Sequence, residues 1–303
     1  MMSALAGSQH QTPMPGDQQA ATTILVCGAT GNIGRPLVQA LQRAHVGTVL
    51  AASPKGEAVA GAAGRVLDLL SSTSVETAMA GVQRLFLLTP ANPMMEAMTA
   101  NAVSAAKAAG VQHIVRISGA GADPGSEIAI ARLQGRCDQI VIDSGIAHTL
   151  LRPKNFMQNF ATFLRDMVRA GRVYSSQGEG KIPFVDARDI AAAAAQVLTH
   201  PQLHAAKAYT LTGPEAITNA QALALIEADT GRAVQLVMVS EEQAVSGMRQ
   251  AGMPEKLIEA MSSLNRIIAA GWVADVSDDL PRLLGRPTTR FADFVRDHRD
   301  TWL

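Results

Sequence analysis

The stretch that most restricts this chain is Ile24-Leu25-Val26-Cys27-Gly28-Ala29-Thr30-Gly31-Asn32-Ile33-Gly34-Arg35-Pro36. An apolar run meets a glycine-rich turn, which opens an amphipathic helix through Leu37, Val38 and Leu41. Each glycine answers a separate need: Gly28 for a tight turn off the strand, Gly31 for close approach of main-chain N–H groups to a pyrophosphate, and Gly34 for close packing of helix on strand. Thr30, Asn32 and Ile33 fill the loop, where unsatisfied N–H groups at the helix start favour an anion. Pro36 needs no hydrogen-bond partner just inside a helix. The spacing predicts a dinucleotide-binding β–α unit at the start of an α/β fold.

The rest of the chain continues that alternation. Strands are expected at 47–52, at 66–67 leading to Asp68-Leu69, and at 84–90, 111–118, 147–152 and 208–212. Helices are expected between them, at 94–109 and 128–144 and from Asp189 to 199. Strands alternating with helices imply a parallel sheet with right-handed crossovers. Beyond 153 the pattern loosens: an amphipathic helix over 156–170, a polar turn-rich stretch over 171–181, and a short strand at 236–239. Further helices are expected from Thr218, from Ser240, over 255–270 and over 291–302. The fold class is a Rossmann-type doubly wound parallel sheet with a smaller carboxyl-terminal α+β substrate domain. Residues 22–153 form the first domain, completed by roughly 184–212, and 154–303 form mainly the second. Residues 1–21 read as a disordered tail.

Ligand chemistry is expected where the strands end at their carboxyl edge. Leu88, Thr89 and Pro90 close one strand, and Ser118 closes the next beside the expected nicotinamide. A NAD-preferring site puts an acidic residue about twenty positions past the glycine loop. Here Ala51, Ala52 and Ser53 stand there, followed by Lys55, so a hydroxyl and an ammonium replace the carboxylate that repels a 2′-phosphate. NADP(H) is therefore expected over NAD(H), with Arg35 a second cation for the phosphate. Asp68 and Leu69 are placed at the adenine, with helix capping as the alternative for Asp68. Lys154, after Pro153, is expected near the nicotinamide ribose or an anionic group, and Asn155, Phe156 and Met157 at the substrate. Core packing is the competing expectation for Phe156 and Met157, and also for Trp272.

Balance limits the other function classes. Twenty-six basic residues meet 26 acidic ones, which gives no net field for nucleic acid or an anionic membrane. No apolar run reaches the length of a membrane span. Two cysteines, Cys27 and Cys137, fit a reducing cytoplasm better than a disulfide framework. His200 and His204 are separated by Pro201 with no third ligand close by, so no metal site is expected. With only seven Phe, two Trp and two Tyr, small aliphatic residues and Met must shape the pocket, which suits a flat or variable small molecule; a homodimer is compatible with the sequence.

Several stretches together resemble the NmrA-like family, an atypical branch of the short-chain dehydrogenase/reductases: G-A-T-G-N-I-G-R at 28–35, R-L-F-L-L-T-P at 84–90, H-I-V-R-I-S-G-A-G-A-D at 113–123, T-L-L-R-P-x-x-F-M-x-N at 149–159, F-V-D-A-R-D-I-A at 184–191 and G-R-P-x-x-x-F-A-D-F-V at 285–295. The resemblance implies NAD(P)H-dependent reduction of quinones, azo dyes or triphenylmethane dyes, so the partner it implies is a small aromatic molecule. It also implies a second reading, a redox-sensing regulator that binds the dinucleotide without turning it over. The Tyr-x-x-x-Lys device of the wider superfamily is missing: Tyr174 and Tyr209 are followed four residues on by Gly178 and Gly213. Where isoflavone-type reductases carry a lysine and quinone-reductase relatives a histidine, alignment on the Ser144-Gly145 turn places Gln134. Ser118, Gln134 and Lys154 are thus the catalytic candidates, and a glutamine supplies no proton at neutral pH. An electron-poor acceptor needs none from the protein, because water can protonate the product.

Overall fold

A computed structural model describes residues 22–303; the tail expected over 1–21 lies outside the described residues. Seven strands form one parallel sheet: β1 (Thr23–Cys27), β2 (Thr48–Ser53), β3 (Ala63–Val66), β4 (Arg84–Leu87), β5 (His113–Ile117), β6 (Ala147–Pro153) and, after a strand β7 (Arg172–Ser175) outside it, β8 (Lys207–Leu211). Their order is β3-β2-β1-β4-β5-β6-β8. The order reverses between β1 and β4, so the crevice at their carboxyl ends is where an open α/β sheet takes its ligand.

Helices cover both faces. On one face α1 (Gly34–Arg43) contributes Leu37, Val38 and Leu41 to a core shared with Val26, Val115, Ile117 and Leu151. On the other, α2 (Ser72–Met79), α3 (Met95–Ala108) and α4 (Ala129–Asp143) bury Val75, Met79, Val103 and Val141 against Leu25, Leu85 and Ile114. The short α5 (Arg165–Arg169) precedes β7, and α6 (Ala187–Thr199) returns to the first face beside α1, burying Ile190 and Val197. The chain then builds α7 (Asn219–Thr230), β9 (Gln235–Met238), α8 (Glu241–Gln250), α9 (Glu255–Ala269), α10 (Asp279–Leu284) and α11 (Phe291–Asp297). A third core lies here around Phe160, Phe184 and Phe291, whose rings meet at 5.2–5.6 Å. Among the described residues no helix is long and apolar enough to cross a membrane.

Tertiary contacts correct the sequence reading in several places. The single helix expected over 156–170 is a 3-10 turn at Met157–Phe160, an irregular turn and then α5. Met157 donates its N–H to Val185, and the Gln158 amide bridges the Asp186 carboxylate and the Ala187 N–H, so cross-chain bonds outcompete helix propagation. The polar stretch at 171–181 contains β7, which pairs in parallel with β9 while burying only Val173. Asp186, not Asp189, caps α6; Asp189 is buried and accepts hydrogen bonds from Arg286 and the Thr289 N–H, holding the carboxyl-terminal segment. The last helix stops at Asp297, and the buried Trp302 indole donates to the Phe160 carbonyl. Trp272, expected in the core, is 72% exposed.

At the amino edge of the sheet, His113 on β5 is buried, and Thr149 accepts a bond from its Nε2 at 3.0 Å while donating to the His204 carbonyl. Burial first, then the neighbouring His148, Arg84 and His204, pushes the imidazole down to about 4. The neutral form favours the fold, so its contribution is complete above the unfolded-state value near 6.5 and is lost as pH falls from there towards 4. Urea titrations should show the wild type losing about 3 kcal/mol more than His113→Gln between pH 7 and pH 4, from ~1.4 kcal/mol per pH unit. Parallel curves for the two proteins would contradict a buried neutral imidazole.

Candidate active site

The turn between β1 and α1 is shaped by one close approach. A Cβ on Gly34 would lie 2.1 Å from the Gly28 carbonyl oxygen, so only glycine lets α1 start against the strand end. Gly28 itself sits at φ +69°. Within the described residues, the main-chain N–H groups of Thr30, Asn32, Ile33 and Gly34 donate to no protein acceptor, and no side chain caps α1. Ser71, Asp186, Thr218 and Ser240 cap α2, α6, α7 and α8; among the described residues α1 shares its lack of a side-chain cap with six other helices and is set apart by opening at the strand end where the sheet order reverses. Bare N–H groups at a helix start, with Thr30, Gly31 and Asn32 exposed, form a cradle that favours an anion.

The neighbouring candidates surround this cradle with different standing. Leu88 packs over Gly28, 3.6 Å from where its Cβ would be. Among the described residues the buried Thr89 hydroxyl has no hydrogen-bond partner, so this strand end holds an unsatisfied polar group. Lys55 and Arg35 are exposed and enter no ion pair among the described residues. Ser53 is buried; its hydroxyl accepts the Gly56 N–H at 3.1 Å and keeps its own proton to donate, beside the exposed cations. Exposed Asp68 accepts the Leu70 N–H, and Ser71 takes the capping role at α2; Leu69 is buried in the core. Cys27 is buried and its thiol is pushed up to about 12 by burial, which makes it inert.

Ser118 and Gln134 come together in a network that sequence reasoning missed. The Arg116 guanidinium, fully buried on β5, pairs with the Asp138 carboxylate on α4 and donates to Gln134 Oε1 at 2.8 Å. The other carboxylate oxygen accepts from Ser118 Oγ and from Arg152 Nη2 on β6, both at 2.9 Å. Gln134 and Asp138 are four apart on α4, hence on one helical face, and Arg116 and Ser118 are two apart, hence on one side of the sheet. The available signal was a charged residue inside the apolar run His113-Ile114-Val115-Arg116-Ile117.

Lys154 stands outside that network. Its ammonium donates to the carbonyls of Val273 and Asp275, each at 2.8 Å, and to the Asp275 carboxylate at 2.6 Å. All three N–H donors are committed to this strap, so the expectation that Lys154 joins Ser118 and Gln134 is corrected: three protein acceptors outbid the crevice. The pairing also holds the Asp275 carboxyl below its ordinary value, chiefly through that hydrogen bond. Met157 is buried in the third core, which removes it from the substrate wall; Asn155 and Phe156 are half-buried, with Phe156 packed on the sheet core.

The comparisons with known proteins fit this geometry. The model of the NmrA-like family matches residues 20–278. The chain belongs to the NmrA-like family. Within the range of that family, it is 39% identical to an NAD(P)H azoreductase of Xenophilus azovorans, over 91% of this chain and 97% of the relative. The crystal structure of an NADPH-dependent quinone oxidoreductase from Escherichia coli, complexed with NADPH, superposes with a TM-score of 0.79 at 29% identity, covering 90% of this chain and 99% of that one. A triphenylmethane reductase from Citrobacter sp. complexed with NADP(H) gives 0.77 at 28% identity, covering 91% and 99%.

Removing Asp138 leaves two guanidiniums sharing no counter-charge. Asp138→Leu should lower the unfolding free energy by about 3–5 kcal/mol in urea, and adding Arg116→Met should restore part of it, because the uncompensated buried charge goes too. A single variant as stable as the wild type would show that the network carries no such load.

Proposed function

We propose that this chain is an NAD(P)H-dependent reductase that passes a hydride to a quinone-, azo- or dye-like electron-poor acceptor, with NADP(H) preferred. The observation that carries this reading is the cradle of unclaimed N–H groups at the start of α1 in a chain whose relatives are reductases. The bound dinucleotide supplies the hydride and its two electrons; the protein supplies position.

In this reading Thr30 through Gly34 hold the diphosphate, Lys55 and Arg35 take the 2′-phosphate, and Asp68 and Leu69 border the adenine. Leu88, Pro90 and the free Thr89 hydroxyl line the path to the nicotinamide, with Ser118 and Gln134 at its reacting end and Asn155 and Phe156 beside the acceptor. The buried free thiols of Cys27 and Cys137 fit a reducing cytoplasm.

The competing reading, a dinucleotide sensor, differs in turnover. NADPH oxidation followed by absorbance should proceed with menadione and with an azo dye, beside calorimetric binding of NADPH. Tight binding with no oxidation of any acceptor would make the chain a sensor. Gly31→Asp should abolish binding, since a side chain and a negative charge enter the diphosphate position; unchanged affinity would contradict the placement. Lys55→Glu should weaken NADPH about tenfold or more while leaving NADH nearly unchanged, as judged from the two KM values.

A further inference from the structure

The orientation of Gln134 is the least ambiguous feature of the site. A glutamine amide offers an acceptor at one end and two donors at the other. Arg116 has donors only, and its Nη2 lies 2.8 Å from the amide, so the atom facing it is the oxygen. The Nε2 end is therefore turned away from the guanidinium, and among the described residues it donates to no protein group. Arg116 cannot move to meet another partner, because it is fully buried and paired with Asp138, which Arg152 and Ser118 hold from the other side. The stem of Gln134 lies on the loop after β5: a Cβ on Gly119 would come within 3.2 Å of its Cγ. The amide thus lies against the loop that follows β5 at the carboxyl edge of the sheet, the loop that Ser118 opens. Ser118 spends its proton on Asp138 and has only lone pairs left to offer.

We propose that Gln134 is a fixed, neutral hydrogen-bond donor to the acceptor atom that becomes negative on hydride transfer, and that Arg116 is the positioning residue that sets its direction. The inference rests on the reductase reading and names the substrate class that fits it. A hydride brings two electrons to a quinone and leaves a hydroquinone monoanion, whose charge the Gln134 N–H group meets; the proton that completes the hydroquinone comes afterwards from water. An unactivated ketone would leave an alkoxide, far too basic to persist without a proton donor, and the site holds no acid there. Among carbonyl acceptors the chain is accordingly selective for quinones over unactivated ketones, and its rate is not gated by an ionising side chain at this position.

The test needs one probe that does not turn over and one that does. With 4-nitrophenol, whose absorbance reports its ionisation, the protein carrying NADP should lower the pH at which the bound phenol ionises. Gln134→Glu keeps an oxygen towards Arg116 but replaces the donor with a charged acceptor, so it should abolish or reverse that shift. Arg116→Lys keeps a cation for Asp138 but cannot span both partners, so it should lose most of the shift while still unfolding cooperatively. With menadione, kcat of the wild type should be flat from pH 6 to 9. It should fall about a hundredfold in Gln134→Glu, the scale of one lost oxyanion donor, with KM for NADPH little changed. No shift in the wild type, or an equal shift in Gln134→Glu, overturns the proposal. Absence of menadione turnover alongside an intact nitrophenolate shift would instead retire the reductase reading and leave the donor in place.

Discussion

Everything in this molecule that bears on chemistry follows from how closely α1 can approach the end of β1. Gly34 meets the Gly28 carbonyl at a distance no side chain tolerates, and that contact aims the uncapped helix start across the crevice where the strand order reverses. Among the described residues α1 is one of seven helices with no side-chain cap, and it is the one whose open N–H groups lie at the end of β1, where the strand order reverses. A helix end kept unsatisfied at a strand edge is costly unless something else pairs with it, and an anion is the partner its partial charge favours. The parallel sheet supplies the rigid frame, and its two helical layers keep the crevice from collapsing.

A second constraint lies two strands over from β1, where a carboxylate and two guanidiniums join β5, α4 and β6. Buried ion pairs contribute little net stability, because desolvation offsets their attraction. What this one contributes is direction: it fixes a hydroxyl and an amide whose free ends would otherwise rotate. Lys154, which has the reach and charge to join them, instead fastens the strap at Val273–Asp275 across the carboxyl edge of β6. In the proposed reaction the site works by placement, with a polar surface that neither gives nor takes a proton.

The parts that were legible in the sequence were those imposed by the main chain. Gly28 and Gly34 announce the turn because a positive φ at one and a close approach at the other leave no room for a side chain, and the apolar runs at Arg84–Leu87 and His113–Ile117 announce buried parallel strands. The resemblance to the NmrA-like family rested on the same segments, and the family match covers them. The roles of side chains were far less legible. Arg116, Asp138 and Arg152 are separated by 22 and 14 residues, and only the packing of α4 on β5 and β6 brings their charges into one place. The helix expected over 156–170 fails because Gln158 finds Asp186 across the chain, a bond that periodicity does not register. Lys154 shows the same limit: its position at a strand end was readable, but its three acceptors belong to a segment more than a hundred residues away.

The central claim, that a dinucleotide rests its diphosphate on the bare N–H groups at the start of α1, is open to direct observation by amide NMR during titration with NADPH. The amides of Thr30, Asn32, Ile33 and Gly34 should show the largest saturable shifts, moving to lower field as they begin to donate. Saturable shifts confined to another part of the sheet edge, with these four unchanged, would contradict the account.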